Sequence, residues 1–158
     1  PPLFQGVVEM QALPMLPPPG EGESILADYA SLGLTLGRHP LALLRPHLGR
    51  RRLSSAAVVN ATAQGRVVRT AGLVINRQRP ASANNVTFVT LEDETGYVNL
   101  VVWKRQAERQ RTTLLRARLL GVIGQVQRES GVVHVVARRL LDYSDLLGGL
   151  VTRSRDFQ

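Results

Sequence analysis

In the stretch FVTLEDETGYVNLVVW, Phe88 to Trp103, two runs of alternating side chains flank a polar turn that ends in glycine. The first run, counted from Val86 to Leu91, reads as a strand. Glu92-Asp93-Glu94-Thr95-Gly96 reads as a tight hairpin turn, and Tyr97 to Trp103 as the returning strand. Successive side chains of a strand point to opposite faces. Val98, Leu100 and Val102 are wholly aliphatic and form the better core set, with Val89 and Leu91 their counterparts across the hairpin. Phe88, Tyr97, Asn99 and Trp103 are then left on the outer face.

Working outward, Val67 to Asn76 is a further β run with Gly72 inside it, where a glycine permits the sharp coil of a small closed barrel. Arg77 to Asn85 is a polar loop. Lys104 to Thr113 is polar and rich in helix formers, so it is helical or part of a loop. Leu114 to Arg128 is a long fourth strand interrupted by Gly121 and Gly124. Glu129-Ser130-Gly131 is a hairpin turn, and Val132 to Leu140 is the fifth strand. Five strands with one insert, placed after the third, is the arrangement of an OB-fold. A small barrel of the SH3 kind is the rival, and the connection of about ten residues after strand three favours the OB-fold. The expected class is mainly β: a five-stranded OB-fold barrel preceded by a small helical segment.

Ahead of the barrel, Leu13 to Gly20 reads LPMLPPPG, which suits neither a helix nor a central strand. Ser24 to Leu36 carries a helical stripe of Ile25, Leu26, Tyr29, Leu32 and Leu36. Pro40 is well placed to open a second, short helix through Leu48. Ala56 to Ala63 is weakly patterned, strand-like or helical. The expected organisation is an irregular proline-rich lead-in at 1–24, a helical segment and connection at 25–65, the barrel at 66–140 and a loosely packed tail at 141–158. The chain begins at Pro1 without a methionine and reads as a piece of something longer.

The formal net charge is +8, and its placement matters more than its size. Residues 1–50 carry three arginines against four acids, whereas residues 51–80 carry six arginines and no acid. Lys104 is the one lysine, and arginine's planar fork suits phosphates and base edges. The basic character coincides with the strands and points to an acidic partner, nucleic acid rather than a membrane. Arg77, Arg79, Arg105 and Arg128 sit at loops rimming the outer face and are the phosphate candidates. Phe88, Tyr97 and Trp103 are the candidate stacking rings, and Asn99 the candidate base reader. The competing reading packs Phe88 and Trp103 against the front segment, the insert or the tail.

Several chemistries are excluded. There is no cysteine, hence no disulfide, thiolate zinc site or cysteine nucleophile. That fits a reducing cytoplasm. There is no apolar run of membrane-spanning length. His39, His47 and His134 are scattered and read as structural. Glu92-Asp93-Glu94 reads as a turn and solubility feature, not a metal site. Gly121-Val122-Ile123-Gly124 lacks what a phosphate loop requires. No catalytic residue, metal ligand or cofactor site is assigned.

Phe88 to Trp103 resembles the OB domain of bacterial DNA polymerase III alpha subunits. LGLTLGRHPLALLRP, Leu32 to Pro46, is similar to the segment before that domain, where the family has a Gly-x-x-x-x-Gly-His-Pro pattern; here Gly33, Gly37 and His39-Pro40 stand in that region. The ending SRDFQ, Ser154 to Gln158, resembles the tail of the error-prone branch, the ImuC-type polymerases. The resemblance implies a non-catalytic C-terminal module of a polymerase for damage tolerance and induced mutagenesis, near single-stranded template. It implies ImuB as a partner, with the sliding clamp reached indirectly through it. Leu3-Phe4 stand where a clamp motif would end. OB domains that bind tRNA anticodons are similar at two positions, a stacking ring at Phe88 and an amide at Asn99. An alternative implied by the same resemblance is a protein-interaction module that docks the polymerase to ImuB or the clamp complex.

Overall fold

The computed structural model describes residues 10–12, 37–81 and 85–156. The expected helix at Ser24–Leu36, the proline run, Leu3-Phe4 and the final Phe157-Gln158 lie outside these residues.

Strand β1 is Met10–Ala12, helix α1 Pro40–Arg50 and helix α2 Ala56–Asn60. The barrel strands are β2 Val67–Pro80, β3 Val86–Asp93, β4 Gly96–Trp103, β5 Leu119–Glu129 and β6 Val132–Asp142. Helices α3 Lys104–Arg109 and α4 Arg111–Arg116 form the insert, and α5 spans Asp145–Asp156. The sheet runs β2-β3-β4-β6-β5, and β2 pairs with β5 to close it. All barrel neighbours are antiparallel except β4 and β6. This is a closed five-stranded OB-fold barrel preceded by short helices. β1 adds to the end of β2 at Gln78–Pro80.

The barrel core comes from strand alternation. Val68 and Val74, Val89 and Leu91, Val98, Leu100 and Val102, Leu120, Val122 and Val126, and Val135 and Leu140 pack inside it. A second core lies outside the barrel. Leu41, Leu44 and Leu48 of α1, one helical stripe, meet Ala71 and Leu73 of β2, Leu119 of β5, and Leu147 and Leu150 of α5. The tail is therefore a packed helix, not a loose cover: Leu147 is fully buried. Gly148-Gly149 hid it in the sequence, because paired glycines weaken a helix that tertiary contacts nevertheless hold.

Several boundaries differ from expectation. The fourth strand starts at Leu119, since Leu114 to Arg116 complete α4 and Leu114 is buried in the barrel core. β2 continues through Arg77 to Pro80, where a loop was expected. The turn between β3 and β4 shrinks to Glu94-Thr95, because Asp93 already pairs with Gly96. The Asp93 carboxylate sets that turn by accepting from Thr95 N at 2.7 Å, Thr95 Oγ1 at 2.7 Å and Gly96 N at 3.1 Å.

Two glycines let strands cross closely. A Cβ at Gly72 would lie 2.9 Å from Leu91 Cβ and 3.0 Å from Glu92 O. At Gly124 it would lie 2.5 Å from Val136 O and 2.6 Å from Val135 Cγ1, beside the bulge at Ile123/Gly124. The opposing atoms at Gly124 include strand backbone and cannot swing away. Gly124→Ala should destabilise the fold by about 2 kcal/mol. A lower urea midpoint at unchanged m-value would show it; an unchanged midpoint would refute the close approach.

Candidate nucleic-acid interface

The outer face follows from the ladder registers, since directly paired residues share a face. One row is Gln78, Phe88, Val101 and Val136, and the next is Asn76, Thr90, Asn99 and His134. Glu92 with Tyr97, and Val86 with Trp103, bound these rows on either side. Same-face rows repeat about every 7 Å along a strand. The hairpin thus brings Phe88, Tyr97, Asn99 and Trp103 onto one surface. Tyr97 is 55% and Trp103 41% exposed, while Phe88 and Asn99 are half-buried. Val101, between Phe88 and Val136, is completely buried despite facing outward.

The candidate arginines do not gather there together. Arg77 is 2% exposed and paired with Val89, a core residue, so it points into the barrel end. Its Nε donates to Leu114 O at 2.6 Å and its Nη2 to Ala117 O at 2.5 Å, closing the C-terminal end of α4. Burial, reinforced by neighbouring Arg118, pushes its pKa down to about 10. The expectation that Arg77 rims the outer face is thereby corrected: the polar loop that placed it there is strand, and the guanidinium is a strut. Arg79 is exposed at the end of β2, and alternation puts it on Arg77's side. Arg128 is exposed, but its Nη2 donates to Asn60 O at 2.7 Å and Thr62 O at 2.8 Å, clamping the end of α2. Arg105 is exposed on α3, directly after Trp103, whose backbone caps that helix.

The acids of the hairpin tip are neutralised from behind. Arg45 of α1 forks onto Glu94, with Nε to Oε2 at 2.8 Å and Nη2 to Oε1 at 2.6 Å, and its Nη2 also reaches Asp93 at 3.2 Å. The Arg45 hydrogen bond holds the Glu94 carboxyl below its usual range. His39 Nε2 meets Glu92 Oε1 at 2.9 Å, while its Nδ1 accepts from Leu41 N and caps α1. His39 thus has the structural role its place before Pro40 suggested. The acid triplet makes the turn, as expected, and also latches the hairpin to α1: Arg45 holds Asp93 and Glu94, and His39 holds Glu92.

Sequence reasoning missed His134, Asn76 and Gln78 as face residues. His134 was legible from its alternation with Val132 and Val136. Asn76 and Gln78 were not, because the register shift at Ile75 moves them onto the face. Burial lowers the His134 pKa. Among the described residues no cluster of His, Asp and Glu is arranged to hold a metal ion, and no helix is long and apolar enough to cross a membrane.

Two measurements check these assignments. Arg77→Ala would leave two buried carbonyls unsatisfied and should cost about 3 kcal/mol in urea unfolding; a change within about 0.5 kcal/mol would place Arg77 on the surface after all. The His134 ring should titrate by NMR below the ordinary midpoint of about 6.5. The unfolded chain then takes up this proton before the folded one, so stability is lost as pH falls through that range. His134→Gln should flatten that part of the stability profile.

Residues 68–142 match the tRNA_anti-codon family, an OB-fold nucleic acid binding domain. A solved asparaginyl-tRNA synthetase from Pyrococcus horikoshii, complexed with asparaginyl-adenylate, is similar over 58% of this chain and 22% of that one, with 24% identity and a TM-score of 0.49. The chain is 64% identical over 99% of its length to an error-prone DNA polymerase of Alkalilimnicola ehrlichii. It is 56% identical over 98% of its length to that of Azoarcus sp.. It spans 15% of the length of each of these relatives. Nearly the whole chain thus matches, at high identity, one segment of error-prone DNA polymerases.

Proposed function

We propose that this chain is a non-catalytic C-terminal module of an error-prone DNA polymerase of the ImuC type, and that it binds or guides single-stranded DNA across the β3–β4 face. Damage tolerance and induced mutagenesis in the cytoplasm is the setting this implies. The observation that carries the reading is the strip of Tyr97, Asn99, Phe88 and Trp103 on one outward face. Its support is the match to error-prone polymerases together with the match to a nucleic-acid-binding OB family.

The chemistry follows from the residue types. Rings accept bases of any sequence, because every base has a π-face. The Asn99 amide offers a donor and an acceptor to a base edge. Arg105 supplies a phosphate contact at the margin beside Trp103, where the chain of a bound strand would leave the sheet. Phosphate pairing sets affinity and salt dependence, and the rings hold the strand in place on the face.

A second reading has one observation of its own. Trp103, Tyr97 and Ile75 are large apolar side chains left 41%, 55% and 51% exposed, and aromatic anchors are common at protein interfaces. On that reading the face docks ImuB, which brings the sliding clamp within reach indirectly.

Tyr97→Ala and Trp103→Ala separate the two, since both rings are exposed enough to be removed without opening the core. On the first reading each variant loses about 1–3 kcal/mol of affinity for oligo-dT, with an unchanged salt slope. Retained oligo-dT affinity with lost ImuB capture would replace it with the docking reading.

A further inference from the structure

The side of the barrel away from the aromatic strip carries a different surface. Arg69 of β2 pairs with Ile123 of β5, and Ile123 pairs with Arg139 of β6. Their neighbours Val68, Val122 and Leu140 lie in the barrel core, so all three point outward. Arg69 and Arg139 therefore flank one row, about 10 Å apart across two strand spacings. Arg138 is the extra residue of the β6 bulge, and its Nη2 donates to Gln125 Oε1 on the same face at 3.3 Å.

One row further, Gly121 pairs with Ala71 and Leu141. A side chain at Gly121 would run into the Tyr143 ring, so that ring lies over the strand there. Arg51 stands over the same ring, 6.0 Å from its centroid. Arg51, Arg69, Arg138 and Arg139 are all exposed. Among the described residues none of them has a carboxylate within 4.0 Å; the ion pairs belong to His39 and Arg45. The acid that shares the outward alternation of β5, Glu129, is about 20 Å along the strand from Ile123.

Arg69 and Arg139 stand in one row on the two strands flanking β5, with Arg138 beside them, and no carboxylate among the described residues answers their charge. A polyanion would. We propose that the outer face of β2, β5 and β6 is a second nucleic-acid surface, one that holds the sugar–phosphate backbone of duplex DNA. Duplex is favoured over single strand by what the face lacks. It offers no open ring for bases: Tyr143 is half-buried, with Arg51 over it. A flexible single strand held by point charges alone must be ordered at an entropic cost, whereas a duplex presents its phosphates already fixed. The arginine row shares no residue with the strip assigned to single strands, which it approaches where Gln125 pairs with Val136, and it does not depend on that strip.

The test uses the full chain with Arg69→Gln and Arg139→Gln combined, against a blunt duplex of about 20 base pairs and against oligo-dT. The salt slope of log K for the duplex should fall in magnitude by about 2, near one per phosphate contact, with affinity down about tenfold or more. Oligo-dT affinity should change far less. An unchanged duplex slope, or an equal loss for both probes, overturns the proposal, and so does wild-type chain that binds no duplex at about 50 mM salt. The Tyr97→Ala and Trp103→Ala variants, run in parallel, keep the two ideas apart. If they lose oligo-dT while the arginine variant keeps duplex, the single-strand reading stands and this inference falls. The reverse pattern sinks the strip and leaves the arginine face. A poly-glutamate competitor that displaces nothing at charge-matched concentration supports DNA over an acidic protein; full displacement by it counts against DNA.

Discussion

A single buried carboxylate, that of Asp93, sets the relation between the barrel and the helices in front of it. It is 4% exposed, yet it is fully engaged. One oxygen takes the turn donors of Thr95 and Gly96, and the other accepts from Ala56 N at 2.7 Å and from Arg45. A carboxylate withdrawn from water at such cost is tolerable only when it is paired and hydrogen-bonded in this way. Fixing it fixes three things at once: the two-residue turn, the first turn of α2, and the approach of α1. Glu94 and Glu92 extend the same contact to Arg45 and His39. The β3–β4 hairpin that presents the aromatic strip is therefore held at its tip by the segment preceding the barrel.

That dependence explains the two cores. The barrel core is made within the strands and needs only alternation. The outer core needs α1 and α5, from opposite ends of the described chain, on the backs of β2 and β5. Leu73 sits on this outer side of β2 while its neighbour Val74 lies within the barrel. β2 is thus buried on both sides over part of its length, and it reads as a continuous apolar run rather than a clean alternation. Closure also demands close crossings, which Gly72 and Gly124 permit.

How much of this was legible follows from where the controlling interaction lies. The β3–β4 hairpin was readable because its alternation is unbroken, and the separation of Val98, Leu100 and Val102 from Tyr97, Asn99 and Trp103 needs no knowledge of the rest. Strand order was readable from the single insert. The end of β2 was not: one extra residue at Ile75 reverses which side later positions face. The polar run from Arg77 onward then looks like a loop, although Arg77 is among the most deeply buried side chains. The start of β5 misled for the opposite reason. Leu114 and Leu115 are as apolar as a strand, but the barrel end is plugged by a helix there. α5 was hidden by two glycines whose cost is met by Leu147 and Leu150 in the outer core.

The arginine content also changes meaning once the contacts are known. A count of positive charge treats every guanidinium as available to a polyanion, and several are not. Arg45 grips two carboxylates, Arg77 two helix-end carbonyls and Arg128 the carbonyls after α2. Each of these tasks needs a rigid, forked donor that stays charged when partly buried, which lysine's single point charge does not supply. Part of the preference for arginine therefore has a structural cause inside the fold. What remains at the surface is smaller than the net charge suggests but better organised. Arg105 borders the rings, while Arg69, Arg138 and Arg139 lie together on strands that carry no open ring, with Arg51 at the end of α1 over Tyr143. Exposed rings and guanidinium groups without a carboxylate partner thus lie on different parts of the barrel surface, as the two proposed surfaces, meeting nucleic acid by different physics, would require.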